Sequence, residues 1–366
     1  MIDIVFNKKE FEYDAYTLIK AFYPQEEVSI LYEGEEKTES SQKTEEAFLV
    51  VKITYNKEDT RLAILKNKET VFEETIFSAS DDERKERKNK LKQALYRGLS
   101  KETKKVLPWG DLTGIRPTKI AMGLIESGMS NVETAEFMRN TYYTSNEKIA
   151  LAITIANRER ALLADIDYKN GYSLYVGIPF CPSICLYCSF SSYPLAKWRD
   201  KVDAYLDALC KELTYIGETM KVRTLDTIYI GGGTPTTLEP EQLERLLSHI
   251  ECCFPTREVK EYTIEAGRPD SITREKLEVI RKYPVTRISV NPQTMNQATL
   301  DLIGRRHTVE DTRHAFALAR ECGFDNINMD LIVGLPGECA KDVQKTLEEV
   351  KKMEPDSLTV HSLAIK

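Results

Sequence analysis

Three cysteines, Cys181, Cys185 and Cys188, fall within eight residues of the stretch "YVGIPFCPSICLYCSF" (175–190), directly after an apolar run. A structural zinc site usually takes four ligands, commonly as two C-x2-C pairs. No second pair is present, so tetrahedral zinc would need a distant Cys or His. Thiolates also hold iron–sulfur clusters, and a four-iron cluster normally takes four cysteines. Three leave one iron open, and an open iron can bind a substrate or cofactor and pass it an electron. The C-x3-C-x2-C spacing is therefore a far stronger signal than a lone cysteine pair.

Other candidate residues sit at the ends of strand-like runs. "GGGTPT" (231–236) offers glycines that let backbone N–H and C=O groups approach a ligand closely, although such turns also occur without a ligand. Glu265, Gln293, Arg305 and Asp330 are each ambiguous alone, as salt-bridged structure or as surface. Their shared location suggests that several line one site, suited to a ligand with an ammonium, a carboxylate and a ribose.

The elements that must position these residues are legible from about residue 173. Apolar, β-rich runs recur at 173–180, 225–233, 261–267, 286–293, 326–336 and 357–366. Amphipathic helical segments such as "EQLERLLSHIECC" and "DVQKTLEEVKKM" separate them. Strands alternating with helices predict βα units and a parallel sheet, either rolled as a barrel or opened as a doubly wound sheet. Candidate residues at successive strand ends favour the barrel, whose sites form at the C-terminal ends of its strands. Upstream, a strand "IDIVF", a helix over 10–22 and a hairpin of "FLVVKITY" and "RLAILKN" predict a small α+β module. The chain is thus divided into an α+β module (1–106), a helical connector (107–168) and an α/β core (169–366) that stops after its sixth strand. In "LPWGDLTGIRPTK" (107–119), Trp109, Arg116 and Lys119 are expected to belong to a structural joint, with ligand binding as the alternative.

Of the 366 residues, 42% are hydrophobic and 30% charged, as in an ordinary globular protein, and the net charge of -7 argues against a nucleic-acid coat. The charge is uneven: residues 31–47 carry six Glu against two Lys, and residues 81–105 carry ten Lys/Arg against five Asp/Glu. A solvated helix face is the expected role of the basic stretch, with a phosphate- or tRNA-facing surface as the alternative. The N-terminus is charged too early for a secretory leader, and no stretch approaches the ~20 apolar residues that span a bilayer, so no membrane span and a cytoplasmic location are expected. Of the remaining cysteines, Cys210, Cys252 and Cys322 fall in helical segments and are expected to be small buried hydrophobes.

Taken together, "YVGIPFCPSICLYCSF", "IYIGGGTPT", "IEAGRPD", "IGRRHT" and "NMDLIVGLPGE" resemble the radical S-adenosylmethionine (SAM) superfamily, and within it the oxygen-independent coproporphyrinogen III oxidase/dehydrogenase family, in its HemZ-type branch. The resemblance covers residues 173–366, and the 107–119 joint resembles the same branch. It implies a partial (β/α)6 barrel with a [4Fe–4S] cluster on Cys181, Cys185 and Cys188, and SAM bound to the fourth iron. Carried over by position, Tyr175 would lie beside the SAM carboxylate end and Tyr187 beside the adenine. Gly232, Gly233 and Thr234 would meet the methionine amino group, and Glu265, Gln293, Arg305, Asp330 and Ala364 would complete the cofactor pocket. The resemblance further implies an electron donor for the cluster, cleavage of SAM to a 5′-deoxyadenosyl radical, and hydrogen abstraction from a porphyrinogen. Coproporphyrinogen III would then lose CO2 from two propionates to give protoporphyrinogen IX. One position departs from the oxidase pattern: Phe190 stands where that pattern has a further cysteine, as in related haem chaperones. A haem-binding chaperone on the same scaffold is therefore the second expectation, and a radical enzyme acting on RNA the third.

Overall fold

The computed structural model describes residues 1–34, 47–77, 83–114, 116–167 and 169–363. Most of the acidic stretch 31–47, and Ala364, lie outside the described residues. The chain divides into two compact units, Met1–Asp165 and Ile166–Lys366.

In the first unit, β1 (Ile2–Phe6), α1 (Glu12–Phe22), β2 (Val28–Tyr32), β3 (Leu49–Tyr55), β4 (Asp59–Lys66) and β5 (Glu69–Phe77) precede a long helix, α2 (Arg84–Thr103). The strands form one sheet in the order β2-β1-β3-β4-β5, with β1 parallel to both neighbours and β3, β4 and β5 an antiparallel meander. Alternation along β3 sends Leu49, Val51 and Ile53 into the core, where they meet Leu18 and Phe22 of α1 and Leu91, Leu95 and Leu99 of α2. The last three recur every four residues, so α2 buries one stripe and leaves its other faces charged.

Of the helical connector marked in the sequence at 107–168, residues 107–165 fall within this first unit and have a small core of their own. It is made by α3 (Thr118–Glu126), α4 (Asn131–Tyr142) and α5 (Asn146–Leu162), packed through Ala121, Met138, Ile149 and Ala152. A capping box of Ser130 and Glu133 starts α4, and the Ser145 hydroxyl accepts the Lys148 N–H at the start of α5. Trp109 packs against this small core, as a structural joint would.

The second unit carries β6 (Tyr172–Ile178), the short pair β7 (Phe180–Cys181) and β8 (Tyr193–Pro194), α6 (Leu195–Trp198) and α7 (Val202–Thr219). There follow β9 (Leu225–Gly232), α8 (Pro240–Cys253), β10 (Glu261–Glu265), α9 (Arg274–Arg281), β11 (Arg287–Ser289), α10 (Gln297–Leu302), α11 (Val309–Glu321), β12 (Ile327–Val333), α12 (Ala340–Met353) and β13 (Ser357–Ser362). Its main sheet is all parallel in the order β13-β12-β11-β10-β9-β6. Each βα step adds the next strand on the same side, without the reversal of order that defines a doubly wound sheet. The architecture is therefore a partial (β/α)6 barrel. β6 and β13 form its unpaired ends among the described residues.

Alternation then sorts the side chains. Val176, Ile228, Ile230, Tyr262 and Ile264 pack with Leu206, Leu213, Leu243 and Ile250 of the helices, each buried aliphatic side chain contributing roughly 1.5–3 kcal/mol. The intervening positions, Tyr175, Tyr229, Thr263, Asn328 and Asp330, are directed to the opposite, inner face. The expectation for the helical cysteines holds for Cys210, which is buried, but not for Cys252, which is exposed, while Cys322 caps the end of α11 half-buried. Cys252 lies two residues beyond Ile250, the last buried position of α8, so the helical period turns it outward.

Candidate cofactor site

Cys181 ends β7, and Cys185 and Cys188 lie in the segment between β7 and β8. Those two strands pair in parallel, Phe180 with Tyr193 and Cys181 with Pro194, so the ends of the loop are pinned together. Its middle is tied to the chain after α10: the Leu186 N–H donates to the Ile303 carbonyl at 2.9 Å and the Ser183 hydroxyl to the Gly304 carbonyl at 2.8 Å. The Cys188 N–H donates to the Cys185 carbonyl at 3.1 Å, a tight turn that holds two of the thiols in a fixed relation.

Polar groups surround the sulfurs. Thr234 donates its hydroxyl to the Cys181 sulfur at 3.5 Å, and burial pushes the Cys181 thiol up. Arg268 and Arg305 each bring Nη1 to 3.8 Å from the Cys185 sulfur. Both guanidiniums are buried and held. Arg268 forms a two-point ion pair with Asp270, at 2.9 Å for each bond, and donates to the Ser183 hydroxyl at 3.1 Å. Arg305 donates through Nη2 to the carbonyls of Gly267 (2.9 Å) and Asn291 (2.5 Å), and its Nη1 reaches the Tyr187 hydroxyl at 3.4 Å. His307 is close to the Asp270 carboxylate, its Nδ1 3.9 Å away, with no exposed side-chain surface and neither ring nitrogen hydrogen-bonded among the described residues. Burial, reinforced by the charges of Arg305 and Arg268, lowers its pKa to about 4, so its ring is neutral at pH 7.

The strand ends complete the site. Gly232 has φ +105°, open to glycine at little cost, and a Cβ on Gly233 would come within 2.7 Å of the Phe180 carbonyl oxygen and 2.8 Å of that of Ile178. Glycine is thus required where β9 passes the cysteine segment. Glu265 accepts a hydrogen bond from the Tyr229 hydroxyl, and burial, only partly offset by that bond, raises its carboxyl pKa. Gln293, at φ 68°, knits the end of the fourth strand to the fifth: its N–H donates to the Asp330 carbonyl and its carbonyl accepts from Ile332, both at 2.9 Å. Its side-chain Oε1 is buried without a hydrogen-bond partner among the described residues. Such an atom costs free energy unless something supplies a donor.

These groups enclose a cavity of ≈ 640 Å³. Of the residues expected from the sequence, Cys181, Cys185, Cys188, Tyr187, Gly232, Gly233, Thr234, Glu265, Gln293, Arg305 and Asp330 all line it. Tyr175 does not. It stands 62% exposed on β6, its ring stacked on Tyr229 with centroids 5.8 Å apart and planes 10° from parallel. Ala364 lies outside the described residues. Phe190 lines the cavity and is exposed. Sequence reasoning missed Arg268, Ser183, Asn291 and Tyr229. Arg268 had a usable signal, a charged residue directly after the third strand end in "EAGRPD".

Among the described residues, no three His, Cys, Asp or Glu side chains are gathered as a single metal ion requires. A multi-iron cluster makes a different demand, since each thiolate binds a separate iron. Three thiols around one cavity, positive guanidinium charge at one sulfur, and an orphaned amide oxygen beside glycine backbone fit an anionic cluster with a polar ligand next to it.

The chain is similar to proteins of known family. The Radical SAM superfamily pattern matches residues 175–350. The oxygen-independent coproporphyrinogen-III oxidase-like protein HemZ of Bacillus subtilis is 38% identical over 93% of this chain and 68% of its own length. The heme chaperone HemW of the same organism is 37% identical over 53% of this chain and 51% of its own. The solved coproporphyrinogen III oxidase (HemN) of Escherichia coli, described as a radical SAM enzyme, aligns with TM-score 0.49 and 32% identity over 56% of this chain and 47% of its own. The chain thus spans about two thirds of the HemZ protein and about half of the others.

Proposed function

The chain belongs to the radical SAM superfamily, among its oxygen-independent coproporphyrinogen III oxidase-like proteins, and from that premise we propose that it catalyses the oxygen-independent oxidative decarboxylation of coproporphyrinogen III. Members of the superfamily use a [4Fe–4S] cluster and SAM. Together these supply one-electron chemistry that yields an alkyl radical able to take a hydrogen atom from a substrate.

Within this reading, Cys181, Cys185 and Cys188 hold the cluster, and Arg268 and Arg305 balance its negative charge at Cys185. The backbone of Gly232, Gly233 and Thr234 and the carboxylates of Glu265 and Asp330 receive the ammonium and ribose of SAM. The Gln293 amide oxygen gains the donor it lacks. The net change at each of two propionates is –CH2–CH2–COO⁻ to –CH=CH2, with release of CO2, one hydrogen atom and one electron. The hydrogen atom would be taken up by the chemistry that cluster-bound SAM supplies and the electron by a separate acceptor, and a separate electron donor would be needed for the cluster.

The observation that carries this reading is the convergence of the three thiols and the strand-end residues on one cavity. Anaerobic incubation with reductant, SAM and coproporphyrinogen III tests it, with protoporphyrinogen IX and CO2 as the expected products. A haem-binding chaperone is the second reading, favoured by one observation: Phe190, 67% exposed, lines the cavity where the oxidase pattern has a cysteine. It calls for stoichiometric haem binding without porphyrinogen turnover.

A further inference from the structure

The first unit contains a second cavity, ≈ 540 Å³, with no part in the chemistry above. Four lysines line it. Lys85, Lys88 and Lys92 follow one another at i, i+3 and i+7 on one face of α2, and Lys119 joins them from α3. Like charges at such spacing repel. Among the described residues, only Lys88 of the four has a carboxylate within ion-pair distance, Asp14 at 3.5 Å. Lys92 is 8% exposed, and burial lowers its ammonium pKa. The carboxylate acting most strongly on it, Asp111, is itself buried, with neither oxygen hydrogen-bonded. The site thus concentrates positive charge at a cost to the folded chain that a bound anion would offset.

The rest of the lining has a different character. Leu112, Ile120 and Leu124 supply aliphatic surface, and Phe137 stands edge-on to Tyr142, with centroids 6.0 Å apart. The volume lies within the roughly 300–1,000 Å³ of small-molecule sites, and an apolar wall facing a few convergent charges is their usual make-up.

We propose that this cavity binds a small polyanion with a flat apolar body, its anionic groups on Lys85, Lys88, Lys92 and Lys119 and its flat face toward Phe137. Two sources share that chemistry, a nucleoside polyphosphate and a porphyrin polycarboxylate. The inference is independent of the proposed reaction, because every lining residue belongs to the first unit and none to the cysteine cavity.

Calorimetric titration of the full chain with ATP and, separately, with oxidised coproporphyrin III tests it. Adenosine and the porphyrin tetramethyl ester serve as neutral counterparts. Lys85 and Lys119 are exposed, so Lys85→Glu with Lys119→Glu is compatible with folding, which circular dichroism checks. One anionic probe is expected to bind in a way its neutral counterpart does not, and the double reversal to weaken it about tenfold or more. Cys185→Ala should leave that affinity unchanged. ATP binding assigns the phosphate source and porphyrin binding the carboxylate source. The proposal is overturned if neither anion binds, if the neutral counterparts bind equally well, or if binding responds to Cys185→Ala and not to the lysine reversals. Absence of porphyrinogen turnover, by contrast, bears only on the cysteine cavity.

Discussion

Arg305 Nη1 lies 3.8 Å from the Cys185 sulfur across 120 residues of sequence. The guanidinium is anchored by two buried backbone carbonyls, those of Gly267 and Asn291, so its charge is fixed beside that sulfur. Hydrogen bonds and net charge at the sulfurs are among the determinants of cluster potential.

Arg305→Gln is therefore expected to make the cluster harder to reduce, shifting its midpoint potential to more negative values on the order of tens of millivolts. An anaerobic redox titration followed by electron paramagnetic resonance reads this directly. A purely structural Arg305 would lower stability without moving the potential.

Cys185→Ala should abolish cluster retention, since two remaining thiolates cannot hold it here. Iron content and the brown absorbance of the reconstituted protein are the readouts. Cys252→Ala, at an exposed position on α8, is the matched control and should keep both.

On the proposed role of Glu265, ligand binding depends on pH. Burial raises its carboxyl pKa above the ordinary 4.5, so the folded chain holds this proton longer than the unfolded chain does. Its contribution to stability is present at acid pH and is lost as the pH rises through the folded value. Glu265→Gln should therefore gain stability relative to the parent as pH climbs above about 4.5, while its affinity for SAM falls about tenfold or more. Thermal melts across pH and equilibrium binding of SAM measure the two effects, which separate a ligand-binding carboxylate from a structural one.

His307 has the opposite sign. Its folded pKa, about 4, lies below the ordinary 6.5, so the unfolded chain binds the proton more readily between those values. Stability should fall as the pH drops from 6.5 toward 4, by up to about 3 kcal/mol if the whole shift is realised. Denaturant unfolding of the cluster-free protein should show the slope, and His307→Gln should flatten it.

What could be read from the sequence depended on how local the information was. The cysteine spacing and the glycines of 231–233 are local, and the ends of the β-rich runs point to Glu265, Gln293 and Asp330, so much of the cavity's lining was legible; Tyr187 and the roles of these residues rested on the family resemblance. Arg268 was marked only by its charge in "EAGRPD" and Tyr229, beside the lining, by nothing, because their roles arise from contacts across 83 and 36 residues. Tyr175 shows the same limit from the other side. The resemblance places it beside the SAM carboxylate end; its ring stands on the inner side of β6, stacked on Tyr229 and next to the lining rather than in it. The choice between barrel and doubly wound sheet also needed the structure, since βα periodicity is common to both and only strand order separates them.

The most direct test is anaerobic assay of the cluster-reconstituted chain with reductant, SAM and coproporphyrinogen III, following porphyrin mass and 5′-deoxyadenosine together. Loss of CO2 and one carbon-bound hydrogen from each of two propionates is expected, with 5′-deoxyadenosine formed in step. SAM cleavage with an unchanged porphyrinogen, or stoichiometric haem binding without any turnover, would contradict it.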